Sequence, residues 1–131
     1  MKKSTLILVS LLSILVLVST VSFAGPMPKI AEHQMITFNQ PMVLGTTEVP
    51  AGNYKITHQM QGADHYMIFS QADVAKNKAI EVKVKCNLVP LDAKAKRTER
   101  RYIQNAKNQN VLTEMTFQGD EAKHVLDVPA I

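Results

Sequence analysis

Tryptophan is absent from the 131-residue chain, aromatic residues make up only 5% of it, and there is a single cysteine, Cys86. One cysteine excludes an intrachain disulfide framework. It equally excludes structural zinc sites built on four cysteines, or on two cysteines and two histidines. The scarcity of aromatics removes the stacking set on which single-stranded nucleic acid is bound. Glycine is sparse as well, with five residues, and none falls in a phosphate-cradling loop. There is no Gly-x-Ser-x-Gly elbow and no His-Glu-x-x-His pattern, so the familiar hydrolase and metalloprotease signatures are missing too.

Aliphatic residues are plentiful, and many stand at the start. Met1-Lys2-Lys3 is a short positive segment, and Leu6 to Val21 contains only apolar residues, Ser and Thr. Ser22-Phe23-Ala24 then sets small residues three and one before a cut ahead of Gly25. Positive, greasy, then small is the order of an export signal peptide, expected here over residues 1–24. The alternative is an uncleaved anchor, since a span needs about 17–25 apolar residues. Ser10, Ser13, Ser19 and Thr20 weaken that alternative. Cleavage leaves no stable membrane span and a protein of the periplasm or extracellular space. Removing Lys2 and Lys3 leaves thirteen basic residues against eleven acidic ones, so the net charge falls from +4 to +2. That surplus is too small for a nucleic-acid footprint.

After a Pro-containing lead-in over residues 25–32, the apolar pattern has a period of two. Ile80, Val82, Val84, Cys86 and Leu88 alternate with Glu81, Lys83, Lys85 and Asn87. This is a half-buried strand with Cys86 on its inner side, where it reads as a small hydrophobe. Shorter strands are expected at 35–38, 42–44, 53–60, 66–69, 111–117 and 124–128. Gln61-Gly62-Ala63-Asp64 supplies the turn of a hairpin. Residues 92–101 (DAKAKRTERR) are rich in helix formers, and Asp92 can cap a short helix there; the alternative is a solvated loop ahead of a strand near Tyr102-Ile103. Together these features predict one all-β domain over 33–131, a small antiparallel sandwich or flattened barrel with at most one short helix.

Chemistry is suggested most by three His-x-Met triplets, at His33/Met35, His58/Met60 and His65/Met67. Residues i and i+2 share a strand face, so each pair presents an imidazole with a thioether, a combination suited to copper and above all Cu(I). The hairpin brings His58, Met60, His65 and Met67 near one loop end, and these four are the candidate metal ligands. Ordinary packing competes with this reading, because His58 and Met60 share a face with Tyr54 and Ile56. A blue-copper loop is disfavoured, since the next histidine after Cys86 is the distant His124. Cys86 and His124 as nucleophile and base have no supporting spacing, and an inward Cys86 argues against an accessible thiolate. No enzymatic activity is expected. Arg97, Arg100 and Arg101 belong to the densest basic run and are candidate partner-binding residues; a solvated basic face is the competing reading.

The segment from Phe38 to Tyr54 (FNQPMVLGTTEVPAGNY) resembles a stretch of small exported bacterial all-β proteins of unknown function, roughly Phe-x-x-Pro-Val-x-Val-Gly-x-x-x-Leu-Pro-Ala-Gly-x-Tyr. Met42 stands where Val is usual and Val49 where Leu is usual, and His124-Val125-Leu126 resembles the closing segment. The resemblance implies a compact β-domain and no assigned activity. Physically, Pro50-Ala51-Gly52 is a chain-reversing corner ahead of Tyr54. The expected role is non-enzymatic binding or structural service in the cell envelope. A small ligand would sit between sheets or at the loops near 45–52 and 93–101. The alternatives are a periplasmic copper-binding protein and a small inhibitor or partner-binding module docking on another envelope protein.

Overall fold

The computed structural model describes residues 27–129; the signal-peptide reading of 1–24 lies outside the described residues. The chain is all-β, as the alternation predicts. Its strands are β1 (His33–Phe38), β2 (Met42–Leu44), β3 (Thr47–Val49), β4 (Gly52–Gln61), β5 (Asp64–Gln71), β6 (Glu81–Pro90), β7 (Glu99–Gln104), β8 (Asn110–Thr116) and β9 (Ala122–Leu126). They form one sheet in the order β1-β4-β5-β6-β9-β8-β2-β3, with β7 added to β8. The sheet is continuous and is not closed into a barrel, with β1 and β3 as its ends. Pairing is antiparallel except at Val43 and Val111, where β2 meets β8 in parallel.

Strand β6 lies inside the sheet, as its pattern requires. Val82, Val84 and Cys86 are buried, while Glu81, Lys83, Lys85 and Asn87 between them are exposed. Ile80 departs from the expected inner row, since it precedes the strand and is exposed, and Leu88 is only half-buried. The same parity runs through the neighbours, where Tyr54, Ile56, Met67 and Phe69 are all fully buried. They join Phe38, Leu44, Leu112, Met115 and Phe117 in one core.

The β4–β5 hairpin forms on the predicted turn. Gln61 pairs with Asp64, and Gly62 adopts a φ of 62°, in the left-handed region that glycine enters without a Cβ penalty. The Pro50 corner is closed by the buried Tyr54, whose hydroxyl donates to the Pro50 carbonyl at 2.7 Å.

Of the two readings of 92–101, the loop leading into a strand is the one that forms, and no helix is present among the described residues. Residues 92–98 are bends and irregular chain, and β7 begins at Glu99. The backbone groups of this segment are satisfied across to the next turn instead of within a helix. Ala95 N–H donates to the Asp120 carbonyl, Gly119 N–H to the Ala95 carbonyl, and Gln118 N–H to the Thr98 hydroxyl. The segment is mostly exposed, and at Ala95 and Thr98 tertiary partners outcompete local helix propensity.

Core parity sets a stability test. Ile56→Ala removes a fully buried side chain and is expected to cost about 2–5 kcal/mol in urea unfolding. Lys55→Ala, on the opposite face, is expected to stay within ~0.5 kcal/mol. Equal costs at the two positions would contradict the assigned faces.

Candidate metal centre

Four chemically active side chains stand on four successive strands of the inner face. His58 is on β4, His65 on β5, Cys86 on β6 and His124 on β9. His65 lies directly opposite Cys86. His58 pairs with Met67 and is therefore diagonal to His65, and His124 pairs with Leu88 and is diagonal to Cys86. In a flat sheet β4 and β9 would be three strand spacings apart, roughly 14 Å. The rings of His58 and His124 are nevertheless stacked with centroids 4.8 Å apart. The sheet therefore curls around this point, and the four side chains meet in its hollow.

The other ring separations are 5.1 Å for His58–His65 and 5.5 Å for His65–His124. One nitrogen from each imidazole lies within 4.8 Å of the others. Cys86 Sγ sits 2.9 Å from His65 Nδ1 and 3.7 Å from His124 Nδ1. Phe117 meets His58 and His124 edge-on, an apolar wall on that side.

Hydrogen bonding accounts for few of these polar atoms. Both ring nitrogens of His58, Nε2 of His65 and Nε2 of His124 are buried and find no partner among the described residues. Leaving such a group unpaired costs about 1–3 kcal/mol. Asp120, in the turn before β9, is also buried; its Oδ1 accepts from Ala31 N–H at 2.9 Å. Its unpartnered Oδ2 stands 3.9 Å from His124 Nε2, too far for a hydrogen bond but close enough to orient that ring.

Burial sets the protonation states. His124 is pushed down to about 3, by desolvation first and then by His58 and His65. His58 is pushed down to about 4 by desolvation, then by His65 and His33. Desolvation also lowers His65. All three are thus neutral imidazoles near pH 7, the form that ligates metals. Burial raises the Cys86 thiol to about 12, so in the metal-free protein sulfur keeps its proton and can give it to one flanking Nδ1.

These groups fit a transition metal with nitrogen and sulfur preferences. Tetrahedral coordination at 2.0–2.1 Å places nitrogens roughly 3.4 Å apart, so the imidazoles need close by at most ~1.5 Å. Thiolate with imidazole suits copper and zinc; hard, oxygen-seeking ions are poorly served.

Of the four ligands expected from sequence, His58 and His65 stand in the cluster. Met67 is fully buried in the core beside His58, and Met60, opposite His65, is 48% exposed at its margin. His33 and Met35 lie exposed on the edge strand β1. Cys86 and His124 complete the cluster, although their separation in sequence had argued against a shared copper site. Strand pairing removes that objection, since residues 38 positions apart become diagonal neighbours. A sequence signal did exist, because both residues occupy inward positions of alternating strands.

The basic run lies elsewhere. Arg97 pairs with Glu99, and Arg101 with Glu114. Arg100 donates to the Thr37 carbonyl at 2.6 Å with its guanidinium over the Phe38 ring. It thereby bridges β7 to the sheet end β1. Comparison with known proteins finds no matching family model, no matching curated protein and no matching solved structure.

The lowered imidazoles fix a pH dependence. Unfolded histidine titrates near 6.5, while His58 and His124 stay neutral down to about 4 and 3 in the fold. Their contribution is fully present above pH 6.5 and is lost as pH falls, because the unfolded chain binds protons that the folded one refuses. Each such imidazole costs about 1.4 kcal/mol per pH unit across this window, less for the partly open His58. The urea midpoint of metal-free protein is expected to fall steadily from pH 6.5 to 4.5, and less steeply in His124→Gln. A flat profile would contradict buried neutral imidazoles.

Proposed function

We propose that this chain is a non-enzymatic copper-binding β-domain whose ligands are His58, His65, His124 and Cys86. One observation carries the reading: three neutral, mostly unpaired imidazoles and the chain's single thiol converge in the hollow of the sheet. Packing alone would fill such a hollow with hydrocarbon, as it does a few residues away around Phe69 and Ile56. A metal ion beside Cys86 would instead take the flanking Nδ1 atoms of His65 and His124 with a nitrogen of His58, and it would replace the Cys86 proton.

Copper is favoured over zinc by the company the site keeps. The buried thioether of Met67 stands beside His58 on the same face, and thioether sulfur selects Cu(I). Four protein ligands leave no open coordination position, the arrangement of holding a metal and not of reacting through it. Export through the segment at residues 1–24 belongs to the same proposal, as does service in the cell envelope. The resemblance of residues 38–54 to exported β-domains is compatible with it.

Anaerobic titration with Cu(I) against a colorimetric chelator tests the reading. One equivalent per chain is expected. His124→Ala and Cys86→Ala should each weaken binding by at least ~100-fold, beyond the loss typical of an outer-shell partner. Circular dichroism checks that each variant remains β-folded. Unchanged affinity in both variants, or tighter retention of Zn(II) than of Cu(I) by the wild type, would overturn the assignment.

A further inference from the structure

A cleft of about 220 Å³ opens on the His65–Cys86 side of the cluster, and two methionines, Met27 and Met60, stand in its wall. Met60 lies directly opposite His65 in the hairpin, where the inner face leaves the core and reaches solvent. Met27 comes from the segment preceding β1. That segment is pinned to the turn before β9: Lys29 N–H donates to Glu121 Oε2 at 3.0 Å, and Glu121 N–H donates to the Lys29 carbonyl at 2.8 Å. Both methionines are well exposed, at 65% and 48%, whereas His65 and Cys86 behind them are buried.

From this placement we infer that Met27 and Met60 form a thioether port through which Cu(I) reaches the imidazole–thiol centre. The inference rests on the copper reading and adds a route of entry to it. An exposed thioether binds Cu(I) weakly but selectively, since it is soft, uncharged and needs no deprotonation. Two of them at the rim can displace donor ligands one at a time and pass Cu(I) to the stronger ligands behind, whose affinity drives the transfer. When the S–Cu bond forms, Cys86 releases its S–H proton to water. Copper stays Cu(I) throughout, so the transfer needs no oxidant or reductant. Neither methionine is required to remain a ligand afterwards, and the port governs the rate of loading while the interior ligands govern affinity.

The test compares the wild type with Met27→Leu/Met60→Leu, a swap that conserves volume and is well tolerated. Transfer from a coloured Cu(I)–chelator complex is followed by stopped flow, the end point by equilibrium competition, and Co(II) uptake serves as a control. The double variant is expected to load Cu(I) about tenfold more slowly, comparable to the low end of what losing an outer-shell group costs a metal site. Its final Cu(I) affinity and its rate of Co(II) uptake should match the wild type. Equal loading rates would overturn the port while leaving the metal centre standing. Affinity falling in step with rate would make the methionines ligands, which also overturns it. A wild-type chain that takes up no Cu(I) would remove both the centre and its port.

Discussion

The curl of the sheet between β4 and β9 is the constraint on which the rest of this structure depends. Four strands, β4, β5, β6 and β9, each place one chemically active side chain on the inner face at about the same height. Laid flat, these side chains would form a row too long for one ion to touch. Because the sheet twists and rolls, the two ends of the row meet, and His58 stacks on His124. Arg100, reaching from β7 to the Thr37 carbonyl on β1, links strands that the hydrogen-bonded ladder leaves unjoined. The curvature that encloses the aliphatic core also encloses the imidazoles.

Enclosure is expensive for the metal-free protein. Four ring nitrogens and one carboxylate oxygen are buried without partners among the described residues. At about 1–3 kcal/mol each, the sum rivals the 5–15 kcal/mol net stability of a whole domain. An apolar replacement of similar volume would remove this burden, so stability does not explain the cluster. The proposed ligation would, since a metal ion that binds the folded arrangement and not the unfolded chain returns its binding free energy as stability. The thiol fits the same logic. Burial pushes Cys86 up to about 12, away from the activated thiolate of a nucleophilic cysteine, and a metal is the partner that lowers it again.

Much of this was legible in the residues. Alternation identified the strands, because one side of each is buried against a common core and period two is the geometric consequence. Gly62 marked the hairpin, and with it the approach of His58 to His65. Other features were hidden because they are set by non-local contacts. The helix-forming composition of residues 92–98 lost to hydrogen bonds with the 117–121 turn, which no local rule anticipates. The three-residue β3, too short to display a period, also escaped notice. His124 joined the site through the order of strands in the sheet, which alternation within any one strand does not encode. The His-x-Met spacing places Met60 and Met67 on the ligand face but does not reveal that one faces solvent while the other is core.

X-ray absorption at the copper edge of the Cu(I)-loaded chain tests the central claim most directly, since it reports the atoms bound to the metal without perturbing the fold. The account predicts one sulfur near 2.3 Å together with imidazole nitrogens near 2.0–2.1 Å, distances usual for thiolate and histidine ligation. The sulfur shell should vanish in Cys86→Ser. A first shell of oxygens alone, or a sulfur shell that persists in that variant, would contradict it.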